Sequence, residues 1–336
     1  MRTNDPISTV PAELNQPCLG LSFADMIADV WDGIAPLGKE LGAPYAPSIQ
    51  SLLFDQTGPR KTYFVCDAAA LPGFFGPEAV AGLRCQSLFD GDAADTLSEA
   101  APYLIELDPE HTFTRSLFTD GRMPWAYWDK QAGIFLRSPI DFDALRKNFR
   151  RFTKLLDDTG KWVFLRFFAP QSLLHIALAM QPPMRARFFD GDLQMIGIYP
   201  SVQLAIVCRS TAQAAPVSLG IDMRMRQVLD ASAMTAFRQR AIRFCTDTLP
   251  DGAGIDAKRQ DDFARQTILT AQQQGLFAEQ AVLYAIAAGW FVGSSDGAWV
   301  KAQDDILHRK DQSQIEKGKA LLARAMQQTK TTERHA

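Results

Sequence analysis

Few side chains in this sequence are spaced for catalysis or metal binding. The four histidines stand at positions 111, 175, 308 and 335, and the five cysteines lie far apart, with no CxxC or cysteine–histidine spacing. Zinc and redox sites require that spacing. No HExxH, Walker A, GxGxxG or EF-hand pattern occurs. We therefore expect no catalytic residue, no metal and no cofactor, and we interpret the cysteines as buried thiols in a reducing cytoplasm.

Two patterns suggest chemistry but have simpler explanations. Residues 293–297 match GxSxG, the nucleophile pattern of serine hydrolases, with Ser295 at its centre. A nucleophile elbow needs a strand before the serine and a helix after it, whereas a predicted helix precedes this one. We interpret the segment as a turn between helices. The aspartate pairs at 90/92 and 190/192 each bracket a glycine, so turn propensity explains them.

The strongest charged feature is a basic helix predicted from Asp141 to Leu156. Apolar residues recur on one face, and Asp141 is placed to cap the N-terminus. The other face is basic, and two interpretations stay open: a solvated helix face, or a docking strip for an acidic partner. The aromatic cluster at 125–128 could form a binding surface or fill a core, and we favour the core. The basic residues are Arg146, Lys147, Arg150, Arg151 and Lys154.

The elements around this helix alternate between strands and helices, beginning with a buried strand at 61–66. Further strands are predicted at 84–89, 103–107, 133–137, 161–168, 193–198 and 202–208. Helices are predicted at 93–100, 111–119 and 172–180. This rhythm predicts an α/β (α+β) lobe with a short-stranded sheet.

Three regions are expected along the chain. Residues 1–60 are rich in proline around one predicted helix, Phe23 to Ala35, and are interpreted as an arm. Residues 61–210 are the α/β lobe. After a small-residue linker, residues 217–330 have helical periodicity alone and are expected to form an all-α lobe, with helices near 233–249, 257–274, 278–291 and 314–328.

Composition excludes several classes of partner. Hydrophobic residues make up 47% of the 336-residue chain, enough to bury cores, and the net charge is −3. A slightly acidic chain has no positive field to attract nucleic acid or anionic lipid. No apolar run is long enough for a membrane span, and the N-terminal residues lack the pattern of a signal peptide. We expect a cytoplasmic protein that binds neither nucleic acid nor membrane.

Six ordered segments together resemble a known family. They are the run from Tyr63 to Asp67 followed by two alanines, the strand at 86–89, Pro102-Tyr103-Leu at 102–104, the strand at 134–138 ending in serine, the basic helix, and the run from Val163 to Gln171. From Lys61 to about Ile198 the chain resembles the domain of unknown function 4123 family. Ala169 and Gln171 stand where that family usually has Asp and Arg, and Asn148 where it often has His.

The resemblance implies a function and a set of contact residues. Members of the family act as adaptors or chaperones for type VI secretion effectors and contact the spike complex of valine-glycine-repeat and PAAR-type proteins. For this chain it implies a cognate effector and the spike protein as partners, with no enzymatic activity. The implied partner-binding residues are Arg146, Lys147, Arg150, Arg151 and Arg166. A structural or immunity-like binding protein, or a serine hydrolase using Ser295, are the alternatives.

Overall fold

The computed structural model describes residues 25–55, 58–71, 78–121, 123–213, 215–249, 255–256, 259–294 and 297–333. These residues belong to two compact units, one that ends at Ser232 and one that begins at Ala233. The boundary expected between residues 210 and 217 lies N-terminal to the division between Ser232 and Ala233. The assignment of residues 1–60, 61–210 and 217–330 to separate domains stays a prediction.

The first unit is built on a seven-stranded sheet in which every neighbouring pair of strands is antiparallel. The spatial order is β1-β9-β8-β5-β2-β4-β3. A separate two-stranded sheet, β6-β7, follows the basic helix. The strands are β1 (Met26–Trp31), β2 (Lys61–Asp67), β3 (Cys85–Ser87), β4 (Pro102–Glu106), β5 (Gly133–Ser138), β6 (Lys154–Leu156), β7 (Trp162–Phe164), β8 (Gln194–Tyr199) and β9 (Leu204–Ser210).

Both faces of the large sheet are covered. Side chains alternate along β2, so Tyr63 and Val65 belong to one core and Phe64 and Cys66 to the other. The helices α1 (Pro47–Leu53), α2 (Asp92–Thr96), α3 (Thr112–Leu117), α4 (Phe142–Thr153), α5 (Pro170–Ala179) and α6 (Pro182–Phe188) belong to this unit. The first core takes the apolar faces of α4, α5 and α6, and the second takes those of α1 and α3.

The helix predicted from Phe23 to Ala35 is wrong, because residues 26–31 form the edge strand β1. This strand pairs antiparallel with β9 from Met26 opposite Ser210 to Trp31 opposite Ala205. The apolar spacing that suggests a helix is also compatible with a strand in which Met26 and Ala28 point into the core. Residues 26–31 form a strand because the backbone N–H and C=O groups at the edge of β9 need hydrogen-bond partners, which a helix could not supply.

The segment after the basic helix also differs from its prediction. Helix α4 begins after Asp141, whose carboxylate accepts hydrogen bonds from the N–H groups of Asp143 and Ala144 at 3.0 Å, as predicted. It ends at Thr153, however, and residues 154–156 form β6. The predicted strand 161–168 shortens to β7. The apolar pattern does not distinguish a longer helix from a hairpin at this point, because Leu155 and Leu165 would be buried in either structure.

The second unit is helical, which, with the antiparallel sheet and short helices of the first, confirms the predicted fold class. Its helices are α7 (Met223–Thr248, which begins in the first unit), α8 (Gln260–Gln273), α9 (Glu279–Phe291), α10 (Ala298–Lys301), α11 (Asp304–Leu307) and α12 (Gln314–Glu333). Gly318 allows close packing of α12 on α9, because a Cβ there would lie 2.8 Å from the Ala281 carbonyl oxygen. Among the described residues, no helix has the length and apolar character to span a bilayer.

Candidate partner-binding surface

Two of the four basic residues on α4 hold the helix to its neighbours. Arg146 Nε donates to the carbonyl oxygen of Ser87 at 2.8 Å, and Arg150 forms an ion pair with Asp90. Both contacts connect α4 to β3 and the turn that follows it. These two arginines are therefore placed to stabilise the fold as much as to meet a partner.

The other two basic residues of α4 point to solvent. Lys147 and Arg151 are exposed and lie four residues apart, which puts them on one side of the helix. Within the described part of the chain, no ion pair involves either of them. Their charges are available to steer an acidic partner.

Arg166 forms an ion pair that joins two of the segments on which the family resemblance rests. Its Nη2 donates to Oδ2 of Asp67, the last residue of β2. The Asp67 side chain is 7% exposed, whereas that of Arg166 is 61% exposed. Asp67 also accepts the N–H of Ala69 at 3.2 Å. Arg166 therefore neutralises a buried carboxylate from outside and keeps much of its guanidinium in solvent.

Beside Arg166, the β6-β7 hairpin presents an outward surface that we name the hairpin face: Lys154, Leu156, Trp162 and Phe164. Lys154 lies opposite Phe164 and Leu156 opposite Trp162, so the four side chains share one side of the two strands. Leu156, Trp162 and Phe164 are 40%, 58% and 54% exposed. Lys154 Nζ lies 4.8 Å from the centroid of the Trp162 ring, within cation–π range.

The turn of this hairpin is fixed by one carboxylate. Oδ1 of Asp157 accepts from the Thr159 hydroxyl at 2.7 Å, the Thr159 N–H at 2.8 Å and the Lys161 N–H at 2.9 Å, and Oδ2 accepts from Arg226. Gly160 completes the turn at φ 79°, a conformation that favours glycine. The hydrogen bond from the Thr159 hydroxyl is the main cause that holds the pKa of Asp157 well below its usual range.

An apolar pocket of about 200 Å³ adjoins the hairpin face. Phe164 belongs to both, and its ring centroid lies 5.7 Å from that of Phe89. Among the described residues that line it, Arg166 contributes the one charged side chain. The pocket is lined by Ala69, Phe89, Leu97, Ala100, Thr153, Phe164, Leu165, Arg166 and Phe168.

This arrangement is suited to protein binding. Aromatic side chains and arginine are enriched in the centres of protein interfaces, where a few anchors supply most of the binding energy. Of the residues implied by the family resemblance, the structure places Arg166 at the pocket and leaves Lys147 and Arg151 exposed on α4, which leads directly into β6. No motif in the sequence singles out Leu156, Trp162 and Phe164, although their alternation around a DDTG turn is typical of a hairpin.

The remaining chemical patterns have structural explanations where they are described. Asp190 pairs with Arg187 at 2.7 Å and Asp192 with Arg60 at 2.5 Å. Gly191 between them has a φ of 77°, which fits the interpretation of this segment as a turn. In the aromatic cluster, Tyr127 and Trp128 are buried in the second core, while Trp125 is 41% exposed.

The GxSxG segment lies between α9 and α10, so a helix precedes it as expected. Ser295 itself lies outside the described residues. Within the described ranges, no group of three or more histidine, cysteine or acidic side chains is arranged to hold a metal ion. Burial raises the pKa of the Cys85 and Cys245 thiols to about 12. These thiols are therefore neutral at physiological pH and unreactive as nucleophiles.

Among known proteins, no curated protein and no solved structure matches the chain. One family model matches part of it. Residues 62–187 match the model of one family, described as "Domain of unknown function (DUF4123)". This range runs from β2 into α6 and includes the Asp67–Arg166 pair, the hairpin face and the pocket. The match confirms the predicted resemblance to the DUF4123 family over residues 62–187.

Proposed function

We propose that this protein is a cytoplasmic adaptor of a type VI secretion system, which binds a cognate effector and helps load it onto the valine-glycine-repeat/PAAR spike complex. The family resemblance implies this role. The observation that carries the proposal is the exposed aromatic and basic surface within the DUF4123 domain, because a protein that acts by holding another protein needs such a surface.

The two parts of this surface have different tasks in the proposed function. The hairpin face and its pocket bury apolar area on binding, which supplies affinity. The exposed Lys147 and Arg151 of α4 attract an acidic partner and orient it, which affects the association rate more than the affinity. An adaptor that must release its cargo at the spike benefits from this division, since a modest contact area keeps dissociation fast.

Co-expression tests the proposal directly. The full chain is co-expressed with each protein encoded beside its gene and purified through an affinity tag, and any complex is sized by light scattering. We expect a stoichiometric complex with a toxin. Lys147→Glu combined with Arg151→Glu should slow its association at low salt. The matched control is Arg243→Glu with Lys319→Glu, which reverses two exposed charges outside the DUF4123 domain.

The toxicity of the captured effector separates the remaining functions. An adaptor holds its effector without inhibiting it, whereas an immunity-like protein abolishes the toxicity. A complex in which the toxin is inactive would contradict the adaptor and favour the immunity-like protein. A chain that stays alone with every neighbouring protein would contradict the proposed function.

A further inference from the structure

We infer that the hairpin face and the adjoining apolar pocket form one docking site for a protein segment that carries a large apolar side chain flanked by carboxylates. This inference rests on the proposed function, because it assigns a partner chemistry to the surface through which the adaptor would act. The family resemblance implies basic residues on α4 and Arg166, but it does not point to the hairpin.

The apolar half of the site is continuous. Phe164 lies at the pocket and also on the hairpin face, where Trp162 and Leu156 extend the exposed apolar surface. Leu97, which is 44% exposed, also lines the pocket and adds to this apolar surface. A pocket of about 200 Å³ can take one large aliphatic or aromatic side chain. Exposed apolar area of this kind marks interaction sites on proteins.

The charged half of the site is positive. Lys154 lies over the rings of Trp162 and Phe164, and Arg166 lines the pocket. A guanidinium has five N–H donors, and Asp67 accepts from Nη2 alone among the described contacts of Arg166. The Arg166 side chain is 61% exposed, so a partner carboxylate can reach its other donors and accept from two of them. The partner segment therefore needs acidic residues next to its apolar anchor.

A protein segment fits this surface better than a nucleic acid. Exposed aromatic rings beside cations also bind single-stranded nucleic acid by stacking. Here, however, Asp92 and Glu99 are exposed on the segment that supplies Leu97 and Ala100 to the pocket. These carboxylates repel a chain of phosphates, whereas a short segment with one or two carboxylates can be placed against Lys154 and Arg166 alone.

The test uses fluorine NMR of the full chain labelled with 5-fluorotryptophan. The chain has six tryptophans, and Trp162→Phe identifies the signal of Trp162 while keeping an aromatic ring. The probe is a short synthetic peptide with one phenylalanine between glutamates, and the control peptide has lysines in place of the glutamates. We expect the glutamate peptide to shift the Trp162 signal saturably and the lysine peptide to leave it unchanged.

Variants then separate the two halves of the site. Phe164→Ser and Lys154→Glu should each weaken the glutamate peptide by about tenfold. Phe277→Ser is the matched control, because Phe277 is 68% exposed and belongs to the other unit. Arg166→Gln is combined with Asp67→Asn, so that no buried carboxylate is left unpaired, and this pair should weaken binding in the same direction.

Three results would overturn the inference: an equal response to both peptides, unchanged binding by Phe164→Ser, or a stronger shift of Trp162 by a single-stranded oligothymidylate than by the glutamate peptide. The last result would assign the surface to nucleic acid.

The same variants are applied to the effector complex. If the complex forms and Phe164→Ser does not weaken it, the docking site is wrong while the adaptor function stands. If no neighbouring protein binds but the glutamate peptide still shifts Trp162, the adaptor function fails and the docking chemistry stands.

Discussion

Asp157 shows how one residue can determine the position of a whole surface. Its carboxylate binds the turn between β6 and β7 and also Arg226 of α7, while the N–H of Ile221 donates to the carbonyl oxygen of Leu156 at 2.8 Å. The Asp157 side chain is 1% exposed. A buried carboxylate is stable only with such partners. The hairpin face therefore depends on Asp157 although Asp157 is not part of it.

The lowered pKa of Asp157 makes this contribution depend on pH. Its folded-state pKa lies below the unfolded value of about 3.9, so its contribution to stability is complete above the unfolded pKa and is lost as the pH falls towards the folded pKa. We predict that Asp157→Asn lowers the free energy of unfolding at about pH 6, and that the difference from wild type shrinks at about pH 3.5. Urea denaturation at both pH values measures this.

The contributions of the other carboxylates to the free energy of unfolding cancel in the difference between variant and wild type. The pKa values of Asp305 and Glu316 are also lowered, but these residues titrate identically in both proteins. A difference that stays constant between the two pH values would show that Asp157 acts through packing alone.

Helix α5 begins without a side-chain cap, because its N-cap residue is Ala169, whose side chain makes no capping hydrogen bond. Aspartate is the usual residue of the family at this position. We predict that Ala169→Asp raises the free energy of unfolding by about 0.5–2 kcal/mol, because its carboxylate can accept a free N–H of the first turn. Chemical denaturation measures the change.

Gln171 is the second position that differs from the family pattern, and we do not expect arginine there to stabilise the protein. Its side-chain amide donates to the side chain of Gln131, a contact that arginine cannot reproduce in the same geometry. Gln171→Arg alone should not stabilise the protein. Destabilisation by Ala169→Asp alone would instead favour the hypothesis that the family's Asp and Arg form a structural pair that must be introduced together.

At the scale of elements, α4 has two faces with separate roles. Phe149 is fully buried, and its ring contacts those of Phe167 and Phe188 with centroids 5.3 Å and 6.0 Å away. We predict that Phe149→Ala lowers the free energy of unfolding by about 3–5 kcal/mol. Arg151→Ala, on the exposed face, should change it by less than about 0.5 kcal/mol. Equal losses for the two variants would contradict this division of the helix.

At the scale of the molecule, the boundary between the units falls inside α7. Its first turns belong to the first unit, where Met225 and Val228 are buried in the core and Arg226 binds Asp157. We predict that a fragment of residues 1–232 unfolds cooperatively and is more stable than a fragment of residues 1–216, by at least about 3 kcal/mol. The shorter fragment ends at the linker that the sequence suggests as a boundary.

Thermal and urea denaturation of both fragments measure this difference, with the full chain as the control. Equal stability would support a domain boundary at the linker and would contradict the role of α7 in the first unit. It would also show that the ion pair between Asp157 and Arg226 does not contribute to the stability of the first unit.

Elements with local patterns can be predicted from the amino-acid sequence. The apolar stripe and Asp141 cap of α4, the buried strands β2 and β5, and the helices after residue 223 can all be predicted, because a helix or strand with one buried face needs periodic apolar side chains whatever it packs against. The order of six short segments was enough to predict the DUF4123 family.

Features that depend on contacts between distant residues cannot be predicted in this way. Residues 26–31 are a strand because the edge of β9 needs a partner, and that partner lies more than 170 positions away. Asp67 and Arg166 form a pair because β2 ends beside the chain that follows β7. The exposure of Trp162 and Phe164 has the same origin: alternation puts them on one side of the hairpin, and only the packing of the other side on the core shows which side meets solvent.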